Sequence, residues 1–108
     1  MPDWNAEVLI GIKRVTGIIQ GNVTSNDSTA KAIKTVSTLI AWVQLQNRGT
    51  KRVFYGGSNV LATGENAGPN MTQRGQTDIL PIRDLKDLFV ITDTGGGNQT
   101  IAWIAGTN

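Results

Sequence analysis

Asp78, Asp84, Asp87 and Asp93 are the densest carboxylates in the 108-residue chain, and they are the first place to look for chemistry. A calcium loop needs oxygen ligands at regular alternate positions with a glycine bend between them, and that spacing is absent here. Asp84 reads instead as the cap of a turn before Leu88, its carboxylate accepting from backbone N–H groups. Gly56-Gly57 and Gly95-Gly96-Gly97 suggest a phosphate loop. Such a loop must open directly into a helix, with a Lys-Ser/Thr pair in the P-loop case; the residues after each run read as strand. Glycine then serves to supply positive φ in turns. Ser58 with Lys51 has the right residue types for a nucleophile and its base, but nothing in the spacing separates the pair from ordinary surface residues. Paired carboxylates would need a cleft, for which so short a chain leaves little room. With no His and no Cys, imidazole bases, the usual zinc and iron sites, thiolate nucleophiles and disulfides are all excluded. The reading is a protein that is not an enzyme and uses no metal or cofactor.

Ten Lys+Arg against eight Asp+Glu give a net charge of +2. The basic residues are scattered, whereas nucleic-acid binders gather them into a patch or stripe. No nucleic acid is expected. The longest apolar run, 39–43, is far too short to span a membrane, and the N-terminal residues lack the basic opening and apolar run of a signal peptide. Cytosolic synthesis is the expectation. Four Asn-X-Ser/Thr sequons, at Asn22, Asn26, Asn70 and Asn98, reflect the abundance of Asn and Thr in turns.

The elements that would carry these residues are strands. Charged residues make up 17% of the chain, Gly is frequent, and the apolar runs are short and β-branched. Residues 38–46 read as a strand with Leu39, Ala41, Val43 and Leu45 on one face and Ile40, Trp42, Gln44 and Gln46 on the other. Residues 47–50 suit a tight hairpin turn, and 52–55 return as a second strand. Residues 60–61 suggest a short edge strand, 62–76 a long surface loop, 77–82 a strand ending near Pro81, and 83–87 a corner. A strand over 88–92, a hairpin turn over 93–98 and a final strand over 100–105 complete the pattern. This is an all-β chain: an antiparallel β-sandwich of the jelly-roll or Ig-like kind, of about seven or eight strands, typical of that architecture. The expected core is Val43, Leu45, Val53, Tyr55, Ile82, Leu88, Val90 and Ile101. Residues 29–108 form the sandwich domain. Residues 1–28 supply an N-terminal arm or edge strands, because the stretch from Val8 to Ile19 is too apolar for a free tail and suits strand addition to a sheet edge.

A strand with one solvated face should alternate cleanly, yet several here are apolar on both faces. The outer face must then be covered, either by the chain's own N-terminal segment or by another subunit. Ile10, Ile12, Trp42, Phe54, Phe89 and Trp103 are accordingly the candidate partner-binding residues.

Four stretches carry a family resemblance. Val43-Gln44-Leu45-Gln46-Asn47-Arg48-Gly49-Thr50 with Val53-Phe54-Tyr55-Gly56-Gly57-Ser58-Asn59-Val60 resembles small β-sandwich accessory proteins of tailed-bacteriophage virions. Leu80-Pro81-Ile82-Arg83-Asp84-Leu85-Lys86-Asp87-Leu88-Phe89-Val90-Ile91 and Thr100-Ile101-Ala102-Trp103 match the later part of that pattern. The likeness extends over residues 29–105. The stretch 71–75 and the segment 8–19 depart from it, which leaves the station within the particle open. The resemblance implies a virion structural protein: a capsid decoration (cement) protein on the capsid exterior, whose partners are the major capsid protein and copies of itself. A neck, tail or fibre-base component is the alternative. A carbohydrate-binding module, using Trp4, Trp42 or Trp103 as a stacking platform for a cell-surface glycan, is the reading from a different class.

Overall fold

The computed structural model describes residues 17–107. Among them are seven strands: β1 (Gly17–Ser25), β2 (Lys31–Ala32), β3 (Trp42–Asn47), β4 (Val53–Gly56), β5 (Asn70–Met71), β6 (Phe89–Thr92) and β7 (Gln99–Thr107). A 3-10 turn, Leu85–Asp87, precedes β6. The strands form two antiparallel sheets, a three-stranded β1-β7-β3 and a four-stranded β2-β6-β4-β5, an arrangement compatible with a β-sandwich.

Alternation explains the three-stranded sheet. Ile19 and Val23 of β1, Ile101, Trp103 and Ala105 of β7, and Val43 and Leu45 of β3 share the inner face. Register places Ile19 and Val43 beside Ala105, Gly21 and Leu45 beside Trp103, and Val23 beside Ile101. Gly21 is there because the indole of Trp103 lies over it: a Cβ would sit 2.8 Å from Cζ2 of the ring. From the other sheet, Val53, Met71 and Val90 meet this face, and Ile33, Ile40, Leu85 and Leu88 close the ends of the same core. Burying each such aliphatic side chain fully contributes roughly 1.5–3 kcal/mol. Six of the eight expected core residues are buried, and Tyr55 and Ile82 pack at the margin.

Four expectations change. The strand expected over 38–46 begins only at Trp42, because the chain bends at Ala41. There the N–H of Ile40 donates to the carbonyl of Arg83 and that of Ala41 to Gly106. The bend shifts the alternation by one, so Ile40 is buried and Leu39 is exposed. Neither expected hairpin forms: β3 and β4 lie in different sheets, as do β6 and β7, so 48–52 and 93–98 are crossings between layers. The long loop contains β5, which pairs Val53 with Met71 and Phe54 with Asn70, and Met71 is buried in the core. Residues 60–61 and 77–82 make isolated bridges in place of strands, Leu61 with Ala67 and Leu80 with Val43. The latter stretch still closes the edge of β3. Thr77 Oγ1 accepts the Leu45 N–H at 3.0 Å, and Val43 and Leu80 exchange backbone bonds of 3.0 and 2.7 Å.

Candidate functional site

The chemistry-bearing residues are dispersed. Asp84 caps the 3-10 turn, accepting from the N–H groups of Lys86 and Thr38 and from the Ser37 hydroxyl. Asp93 forms an exposed ion pair with Arg52 at 2.9 Å. No group of three or more metal-ligating side chains occurs among the described residues, and Ser58 and Lys51 share no hydrogen bond there. The triple glycine makes a turn in which Gly95 and Gly97 have φ of 76° and 70°, and β7 follows it.

The Ser37 hydroxyl, then the Lys86 and Thr38 N–H groups, hold the Asp84 carboxyl below its ordinary value of 3.8. A carboxylate whose folded-state pKa is depressed stabilises the fold above the unfolded pKa, and that stability is lost as pH falls through the folded value. The expected result is that Asp84→Asn lowers the melting temperature at neutral pH. The gap from the unsubstituted protein should close as the pH is taken below the ordinary carboxylate range, a convergence visible in paired thermal melts.

The six candidate partner-binding residues divide three ways. Ile10 and Ile12 lie outside the described residues, as does most of the apolar stretch from Val8; its last two members, Ile18 and Ile19, sit in β1. Phe54 and Trp103 are only 7% and 6% exposed. Trp103 belongs to the inter-sheet core, and its indole Nε1 is the one buried side-chain polar atom without a hydrogen-bond partner among the described residues. Phe54 forms a second, smaller core with Val60 and Ile91 on the outer face of the four-stranded sheet, with Ala30, Ala62 and Phe89 packed against it.

Among the described residues, the cover of that outer face comes from the chain's own 57–68 segment, with Ala30 packed beside it. The segment closes tightly. The Tyr55 N–H donates to Pro69 and the Gly68 N–H to Leu61, and a Cβ on Gly68 would meet the Tyr55 carbonyl oxygen at 2.2 Å. Val60 is the plug, and its place between a glycine turn and a polar loop is what gave it the look of an edge strand. Half-buried Phe89 shares this cover.

Trp42 is the anchor that remains at the surface. It stands on the outer face of β3, opposite Gly106, which in turn faces Ile18 of β1. Glycine between them leaves the two apolar side chains on either side of a shallow gap. Ile18 is 63% exposed and Leu39 62% exposed, and Val36 and Ile79 are exposed as well. Leu39 precedes Trp42 by three residues and Ile79 adjoins Leu80, the partner of Val43. Register thus sets Ile18 across Gly106 from Trp42, and the chain places Leu39 and Ile79 within a few residues of the start of β3 or of its bridge partner. Sequence reasoning singled out Trp42 but missed Ile18, Leu39 and Ile79; the bend at Ala41, which turns Leu39 outward, leaves no mark in the alternation.

Further along the same face lies a groove of about 470 Å³ between β1 and the 76–80 stretch, lined by Gln20, Asn22, Gln44, Gln46, Gln76 and Ile104 among others. No family model, no curated protein and no solved structure matches the chain.

Proposed function

We propose that this chain is an accessory structural protein of a tailed-bacteriophage virion, a capsid decoration (cement) protein that binds the assembled shell from outside. The resemblance of residues 43–60 and 80–91 to such proteins motivates the reading. The observation that carries it is apolar surface near the start of β3: exposed Ile18 flanks half-buried Trp42 across Gly106, and Leu39 and Ile79, close to β3 in the chain or through the Leu80–Val43 bridge, are exposed too. We take the fold to be a jelly-roll or Ig-like β-sandwich, since both the β3–β4 and β6–β7 connections pass from one sheet to the other, as connections in such sandwiches do. A contact of this kind needs no chemistry. A protein that binds the lattice and not its dissociated subunits stabilises the lattice by mass action, by about 2.7 kcal/mol per site at a free concentration about 100 times Kd.

Trp42 is the expected hot spot, because buried aromatics at the centre of a contact dominate its energy. The partner is the major capsid protein, with neighbouring copies of this chain completing the layer. The test is co-sedimentation with particles lacking the protein. The unsubstituted chain should saturate them in a fixed ratio, and the double variant Leu39→Ser/Trp42→Ser should bind at least tenfold more weakly. Phe54→Leu, altered inside the chain's own second core, should bind normally provided it stays folded. Equal binding by the double variant would remove this surface from the contact.

A further inference from the structure

The groove on the outer face of β1-β7-β3 has a composition that the docking reading does not use. Five side-chain amides line it: Gln20 and Asn22 from β1, Gln44 and Gln46 from β3, and Gln76 from the stretch that closes the β3 edge. Register explains the assembly. Gln20 and Gln44 both flank Ile104 of β7, and Asn22 and Gln46 both flank Ala102, so two amide rows face each other across a strip of small and apolar side chains. Among the described residues, no Asp, Glu, Lys or Arg lines the groove. Of the five amides, Gln44 alone is committed among the described residues, its Nε2 donating to the Thr77 carbonyl at 3.0 Å. The other four make no side-chain hydrogen bond among the described residues.

We infer that this groove binds a neutral oligosaccharide. An Asn or Gln amide presents one acceptor and two donors in a plane, which suits the paired donor–acceptor demand of neighbouring sugar hydroxyls. The Ala102–Ile104 strip offers apolar contact to the C–H face of a pyranose ring. Among the described lining residues a phosphorylated or uronic-acid ligand would find no cation and a basic one no carboxylate, so this lining favours an uncharged partner. The volume falls in the range of small-ligand sites, and the open shape suits a chain passing through. The site differs from an aromatic platform: Trp103 is buried under Gly21, and Trp42 does not line the groove.

This inference is independent of the virion reading, since it asks only for the folded chain. The experiment is titration of the ¹⁵N-labelled protein with cellotetraose, maltotetraose, mannotetraose and chitotetraose, with a hyaluronan tetrasaccharide as the anionic counter-probe. At least one neutral tetrasaccharide should shift the side-chain NH₂ signals of Gln20, Asn22, Gln46 and Gln76 in a saturable way. The double variant Gln20→Ala/Gln46→Ala, altered only at uncommitted surface amides, should keep its backbone spectrum and bind that sugar at least tenfold more weakly. Silence with all four neutral sugars at millimolar concentration, response to hyaluronan alone, or undiminished binding by the folded variant would each overturn the assignment.

Discussion

Asn47→Ala is expected to destabilise the protein by about 3 kcal/mol, through the loss of one fully buried amide. Asn47 ends β3 with its side chain inside the molecule. Its Nδ2 donates to the carbonyls of Lys51, at 2.6 Å, and Met71, at 3.2 Å, while its Oδ1 accepts the Gly49 N–H at 2.9 Å. One side chain thereby shapes the crossing between the sheets and ties β5 to it. Alanine would remove the side-chain partner of three backbone groups, one of them the Met71 carbonyl in the buried interior, and a buried group left unpaired costs about 1–3 kcal/mol. For a domain of this size the melting temperature should drop by roughly 10–20 °C. A calorimetric scan checks this, and a drop of only a degree or two would mean that water takes over the bonds.

Leu45→Ala should cost about 2–5 kcal/mol, the range for emptying a close-packed leucine site. Leu45 is fully buried, lies beside Trp103 in the register and packs on the inner face of the central core. Thr77 brackets its backbone on the other side, accepting its N–H and donating to its carbonyl, so the strand is not free to collapse into the hole. The neighbouring Gln46→Ala, on the opposite face, should change stability by less than about 0.5 kcal/mol. Urea unfolding of the two variants should move the midpoint strongly for the first and hardly at all for the second, with little change in slope. Comparable shifts would contradict the assignment of faces.

What was legible in the sequence was whatever local pattern controls. Alternation from Val43 to Leu45, around Val90, and in Ile101 and its neighbours placed the core, since period-2 patterning is a local consequence of the pleat. Asp84 as a turn cap was legible for the same reason. Pairing was not. Asn47-Arg48-Gly49-Thr50 and the triple glycine reverse the chain, but turn chemistry does not say whether the next strand returns to the same sheet or crosses to the other. Here the side chains of Asn47 and Gln99 decide. The Gln99 Oε1 accepts the Thr50 N–H at 2.8 Å from 49 residues away, a contact that no local window contains.

The surface was harder still. Two-sided apolar character signalled a covered face for β4 and β6, where Val60, Ala30 and Ala62 pack on Phe54 and Ile91, but not for the 38–46 stretch, where Ile40 turns inward and Trp42 stays at the surface. Met71, the lone large apolar residue between 62 and 76, was the signal that this loop is pinned to the core. The amide groove was invisible because Gln20, Asn22, Gln44, Gln46 and Gln76 come from three separated segments and meet only through register.

The most direct measurement of the central claim is a cryo-EM map of particles decorated with this protein. The account predicts one sandwich-shaped density at each repeated position on the outer shell, its β3-start end, with Ile18, Leu39 and Trp42, pressed against the capsid and the amide-lined groove left open. Particles that carry no such density after incubation with the protein at saturating concentration, or density seated on the shell by the opposite end of the sheets, would contradict it.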